Sequence, residues 1–135
     1  MRAITGLVLA LGVAGCAAPG APSCAWTGGA PAVTVQLLFG RTRPGGVVSE
    51  PEWRDFLATV VTPRFPDGLT VLQGSGQWRS PTTGRITAEP SNVVEIVTTP
   101  KPDLARRLQE VRDAYRARFT QESVGLVTQA SCAAF

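Results

Sequence analysis

The groups best suited to chemistry in this chain gather around one indole. Trp78 is flanked by Gln77 and Arg79, and Glu89 and Ser91 lie across from it if the surrounding segments pair as a hairpin. Arg64 precedes a Pro-Asp-Gly turn that contains Asp67, before that hairpin, and Gln121-Glu122-Ser123 stands just ahead of the last apolar run. An aromatic face ringed by a guanidinium, carboxylates and amides can hold a small polar molecule by stacking and directed hydrogen bonds. The same groups equally serve indole packing and turn hydrogen bonds, and both readings stand at this point. Arg64, Asp67, Trp78, Glu89, Gln121 and Glu122 are therefore the candidate binding residues.

Much other chemistry is excluded by composition. The chain has 135 residues and no histidine. That removes Ser/His/Asp and Cys/His triads and the usual catalytic zinc sites. Gly40 and Gly45 have the spacing of a phosphate loop, but Gly46 and Val47 occupy its Lys and Ser/Thr slots. Gly74-Ser75-Gly76 lacks the nucleophile-elbow spacing, and Thr98 stands where a Ser-x-x-Lys dyad with Lys101 needs serine. The acidic residues are scattered, and Glu50 and Glu52 are better explained by helix capping. No catalytic residue, metal or cofactor is expected.

The length suits one domain, and 44% hydrophobic with 17% charged residues is an ordinary globular balance. Thirteen basic residues, all arginine except Lys101, outweigh ten acidic ones to give +3. Arg106, Arg107, Arg112, Arg116 and Arg118 fall in one helical segment. They suit an anionic partner or, as favoured here, a solvated helix face with basic residues near its C-terminus. Nucleic acid is not an expected partner.

The N-terminus reads as an export signal. Met1-Arg2 precedes an apolar run from Ala3 to Val13, far shorter than the roughly 20 residues of a membrane span. Val13-Ala14-Gly15-Cys16 resembles a bacterial lipobox, with Val13 in place of the usual Leu. Residues 1–15 are thus expected to be a signal peptide and Cys16 the lipidation site. Acyl chains stabilise membrane binding by about 0.8 kcal/mol per buried CH₂, so this protein would be anchored to the bacterial envelope without spanning it. Plain secretion with cleavage near Ala17-Ala18 is the alternative. Cys24 and Cys132 remain, and in an oxidising compartment they are expected to form a disulfide.

The elements that position these groups follow. Residues 16–32 are rich in Pro, Gly and Ala and read as a tether, with a single domain over 33–135. Residues 33–39 alternate as a strand, followed by a turn-rich loop over 40–48. Ser49 and Glu52 form a capping box, opening a helix whose apolar stripe is Trp53, Phe56, Leu57, Val60 and Val61. Residues 69–78 form a strand bent at its glycines. Residues 85–89 extend it, Pro90 interrupts, and 92–98 form the next strand. A helix over 103–119 buries Leu104, Leu108, Val111, Tyr115 and Phe119, and a last strand spans 124–128. The order β-α-β-β-α-β predicts a ferredoxin-like α+β sandwich, a four-stranded antiparallel sheet with two helices on one face. Its first and last strands are neighbours, which brings Cys24 and Cys132 to the same end. The other face, carrying Thr34, Gln36, Leu38, Thr70 and Leu72, is left open.

These residues also resemble a family of bacterial lipoproteins known as domain of unknown function 3574, over about residues 35–127. The resemblance rests on Phe39-Gly40, Glu52-Trp53, the run from Thr62 through Asp67-Gly68 to Val71, Gly76-Gln77-Trp78-Arg79, Glu89 with Ser91, and Gln121-Glu122-Ser123-Val124. It implies an envelope location and assigns no reaction. The expected role is a non-catalytic envelope domain that binds a partner, or a second copy of itself, through its open face. The alternative is a small-molecule binder, or an enzyme working without histidine, with a cleft near Arg64, Trp78 and Glu89. A third expectation is surface recruitment by the arginine helix.

Overall fold

The computed structural model describes residues 23–135. The expected signal peptide, Cys16 and the tether as far as residue 22 lie outside the described residues. The elements are β1 (Ala30–Gly40), β2 (Thr42–Arg43), β3 (Gly46–Val47), α1 (Glu50–Phe56), β4 (Thr70–Arg79), β5 (Ile86–Thr98), α2 (Leu104–Phe119) and β6 (Gly125–Ala133). The four long strands make one sheet in the order β4-β5-β1-β6, and every neighbouring pair is antiparallel. With both helices on one face, this is the ferredoxin-like α+β sandwich that the element order implied.

Alternation along the strands sorts the two faces. Val35, Leu37 and Phe39 of β1 and Val94 and Ile96 of β5 are buried beneath the helices. Trp53 and Phe56 of α1 and Tyr115 and Phe119 of α2 close the core over them. Their rings meet mostly edge to face, with Phe39 and Tyr115 centroids 4.7 Å apart and Phe56 and Tyr115 centroids 5.0 Å apart. Buried Asn92 completes this side: its amide oxygen accepts from Trp53 Nε1 at 3.2 Å and its nitrogen donates to the Ser91 carbonyl at 3.2 Å.

Several boundaries differ from the sequence reading. Residues 30–32, assigned to the tether, belong to β1 and pair with β6 from Ala30 opposite Ala133. The pairing supplies the backbone partners that Pro/Ala-rich composition does not advertise. The first helix is not uniform. It passes from α1 into a π turn over Leu57–Val61 and a 3₁₀ turn over Thr62–Arg64. Phe56 and Val61, five residues apart, are both fully buried, an alignment that an i+5 turn permits. The loop over 40–48 folds as the small β2–β3 hairpin. Pro90 does not interrupt its strand, because β5 runs unbroken from Ile86 to Thr98.

The reason lies in which side of β5 needs the missing donor. Pro90's carbonyl faces β1 and accepts from Arg41 N–H at 3.0 Å. In an antiparallel ladder the N–H of the same residue would return a bond to Arg41's carbonyl. Proline has none, so that carbonyl accepts instead from Val48 N–H at 2.8 Å. The β1–β5 ladder therefore ends at Gly40 opposite Ser91, while β4 and β5 pair on to Arg79 opposite Ile86. The Arg41 side chain, almost fully buried, donates from Nε to the Val48 carbonyl at 2.9 Å and pairs with Glu50, fastening the small hairpin to α1.

Cys24 and Cys132 form the expected disulfide, with Cα atoms 5.4 Å apart at a sequence separation of 108. It ties the approach to β1 onto the end of β6. Replacing both cysteines by serine should lower unfolding free energy by about 2–4 kcal/mol. Urea unfolding with and without reductant measures this, and an unshifted midpoint would show that the bridge contributes nothing.

The capping box also forms as expected. Ser49 N–H and Oγ donate to Glu52 at 2.9 and 2.7 Å, and Arg43 pairs with the same carboxylate. These contacts, the Ser49 backbone bond first, hold the Glu52 carboxyl at about 2 rather than 4.5. The folded value lies below the unfolded one, so this contribution is complete above about 4.5 and fades as pH falls toward about 2. Glu52→Gln should flatten that part of the acid-unfolding curve; parallel curves for the two proteins would refute the assignment.

Candidate functional site

Because β4 and β5 outrun β1, their hairpin projects as an arm past the end of the sheet. The arm crosses to the α2–β6 loop, where Trp78 Nε1 donates to Glu122 Oε2 at 3.1 Å and Ser80 Oγ donates to Glu122 Oε1 at 2.9 Å. On the open face beneath it lies a bowl of about 660 Å³. Its walls come from the arm (Trp78, Arg85, Thr87, Glu89), from the β2–β3 hairpin (Thr42, Arg43) and from the α2–β6 loop (Gln121, Glu122). Leu38, Gly76, Val93 and Gly125 supply a floor of small and apolar residues.

Individual side chains are held firmly. Thr42 N–H donates to Glu89 Oε2 at 2.9 Å, and Gln121 Nε2 donates to the Thr42 carbonyl at 2.7 Å. Glu89 lies directly over Gly40: a Cβ there would stand 2.5 Å from Oε1 and 2.8 Å from Oε2. A larger residue there would push the Glu89 carboxylate out of this position. Tyr115 Oη donates to the Gly40 carbonyl from below at 2.8 Å. Burial pushes the Tyr115 phenol well above its usual range, with Glu89 adding to the rise, so it remains a neutral donor. Thr120 caps α2 at φ 54°, a left-handed conformation uncommon for a β-branched residue, and lines the same bowl. That turn delivers Gln121 and Glu122.

Four of the six candidates therefore meet: Trp78, Glu89, Gln121 and Glu122. The cleft expected near Arg64, Trp78 and Glu89 does not include Arg64. That guanidinium sits on the helical side, where Nε pairs with Glu110 at 3.0 Å and Nη1 donates to the Val60 carbonyl at 2.8 Å. Asp67 borders a separate hollow of about 230 Å³, with Val97, Thr98 and Phe135 at the opposite end of the sheet. A turn next to a strand in sequence can lie at either end of that strand, and Arg64-Asp67 precedes β4 while Trp78 is near its end. The sequence reading missed Thr42, Arg43, Arg85 and Thr87. The last is legible from the hairpin register, which sets Thr87 opposite Trp78.

The arginines of α2 are engaged locally. Arg106 pairs with Glu110, Arg107 with Asp103, Arg116 with Asp113 and Arg118 with Asp55, and Arg112 Nε donates to the Val124 carbonyl. This is the solvated, charge-compensated face that sequence favoured. Among the described residues, no group of three or more acidic or cysteine side chains is placed to hold a metal ion. No described helix is long and apolar enough to cross a membrane.

Fold and site together define a ferredoxin-like α+β domain with a bowl on its uncovered sheet face. Residues 34–135 match a family described as protein of unknown function, DUF3574, and the chain belongs to that family. No curated protein matches it by sequence. Among solved structures it is similar to a phage SAM lyase in complex with S-methyl-5′-thioadenosine, at TM-score 0.61 and 17% identity, covering 76% of this chain and 88% of that one. The apo form of a phage SAM lyase aligns at TM-score 0.56 and 18% identity, covering 73% and 79%. CutA from Synechococcus elongatus aligns at TM-score 0.48 and 10% identity, covering 76% and 78%. The two phage SAM lyase likenesses bear on the fold alone.

Proposed function

We propose that the protein is an exported, lipid-anchored domain that binds a small molecule in the bowl. The observation that carries this reading is the concavity of about 660 Å³ on which Trp78, Glu89, Gln121 and Glu122 converge. Ligand pockets are of this size, mostly apolar with a few fixed polar groups. The polar groups here are held by hydrogen bonds before any ligand arrives, which lowers the ordering cost of binding. The carboxylates act here as fixed hydrogen-bond acceptors, and binding is the role this geometry supports. The disulfide fits an oxidising compartment.

A ligand screen tests the binding role. S-methyl-5′-thioadenosine belongs in the panel because a protein of the same fold binds it. A ligand at a hundred times its Kd should stabilise the protein by about 2.7 kcal/mol, read as a rise in Tm. Trp78→Ala should abolish the rise. A broad panel without any stabilising member, or equal stabilisation of Trp78→Ala, would overturn the reading.

Anchoring is tested by fractionating cells that express the full chain. Cys16→Ser should move the protein from membranes to the soluble fraction, and persistence at the membrane would exclude the lipid anchor.

A second reading, self-association, is favoured by one observation. Leu38, Leu72 and Val127 on the open face are 41%, 51% and 50% exposed. Polar pairs interleave with them, Thr34 with Ser131 and Gln36 with Glu95, and make this face less apolar than a permanent interface.

A further inference from the structure

We propose that the bowl takes a small organic cation with an apolar body, such as an alkylammonium; this rests on the reading that the bowl is a binding site. The reasoning starts from the distribution of charge partners. Basic residues outnumber acidic ones in this chain, thirteen to ten. On the helical side, Glu50, Glu52, Asp55, Asp103, Glu110 and Asp113 each have an arginine partner. Of the four acids with no ion pair among the described residues, Asp67, Glu89, Glu95 and Glu122, only Glu89 and Glu122 line the bowl. A chain with arginine to spare leaves uncompensated the two carboxylates that line this bowl.

Both carboxylates are instead fixed by neutral donors. Thr42 N–H holds one oxygen of Glu89, and its Oε1 accepts no hydrogen bond within the described protein. Trp78 Nε1 and Ser80 Oγ hold Glu122. Neutral donors set a carboxylate's position and leave its charge in place. An ionised carboxylate accepts and never donates, so the ligand must bring the donor.

Trp78 adds the second feature. Its indole lines the bowl, is 43% exposed, and is oriented by its N–H bond to Glu122. The negative face of an indole attracts a cation, and two carboxylates beside it reinforce that preference. Leu38 and Val93 supply apolar floor for methyl or methylene groups.

Two arginines also line the bowl. Arg43 is committed to Glu52, at 2.9 Å, and lies over the Phe119 ring. Arg85 makes no ion pair among the described residues and stands exposed on the arm. Arg85 is thus the group through which an anion would compete.

The test uses the full chain in detergent, with Trp fluorescence and calorimetry. The probes are choline, its neutral isostere 3,3-dimethylbutan-1-ol, putrescine and butyrate. Choline or putrescine should bind, and the neutral isostere should bind roughly tenfold or more weakly. Glu89→Gln and Glu122→Gln should each weaken the cation by roughly tenfold. Two variants are used so that a folding defect in one leaves the other informative. Equal binding of choline and its isostere would overturn the cation preference, as would butyrate binding that Arg85→Gln removes. Either result leaves the bowl as a binding site. If no probe binds while the broader screen finds a neutral ligand, the cation class falls alone. If both fail, the two readings fall together.

Discussion

One missing hydrogen-bond donor shapes this molecule. Pro90 sits in a continuous strand, but on the side facing β1 it offers a carbonyl and no N–H. Arg41 donates to that carbonyl, and its own carbonyl turns away to Val48. The central ladder stops at Gly40, the chain folds into the β2–β3 hairpin, and β4 and β5 continue together beyond the sheet. The arm and the small hairpin, two walls of the bowl, both originate at this residue pair. Elsewhere in a central strand proline would cost a ladder bond outright; here it falls where β1 is leaving.

Gly40 is the junction between the core and the bowl. Its carbonyl accepts the Tyr115 hydroxyl from the aromatic core, and its Cα face admits the Glu89 carboxylate from above. Tyr115 also packs on Phe39, Phe56 and Phe119, so the position of Glu89 is tied through one glycine to the best-packed part of the protein. The other end of the bowl is set by the left-handed Thr120, which turns the chain out of α2 and presents Glu122 to the arm. Strain of this kind persists only where surrounding structure holds it, and it is concentrated here beside the cavity.

Charge follows the same division. The helical layer carries most of the arginines, and each acid there is compensated, Glu110 by both Arg64 and Arg106, which hold its carboxyl below the usual range. Ion pairs this exposed contribute little stability. The open face is left with the unpaired carboxylates and the exposed apolar residues. Both proposed roles, ligand binding and self-association, rest on the face the helices leave bare.

Period and punctuation determined the architecture from sequence alone. Alternating Val35, Leu37 and Phe39, the Ser49–Glu52 box, and the helical stripe from Leu104 to Phe119 are local patterns whose physics acts within a few residues. Strand order then followed from β-α-β-β-α-β, and with it the Cys24–Cys132 bridge. The candidate site was half legible. Trp78, Glu89, Gln121 and Glu122 stood out by type, and Trp78 with Glu89 by hairpin proximity. Only the tertiary structure could decide that Glu122 closes on Trp78 from 44 residues away while Arg64, nearer in sequence, faces the other side of the sheet. That outcome depends on which flank of β5 Pro90 leaves unbonded, and on how far the arm then reaches. Those are relations between strands, and no single segment carries them.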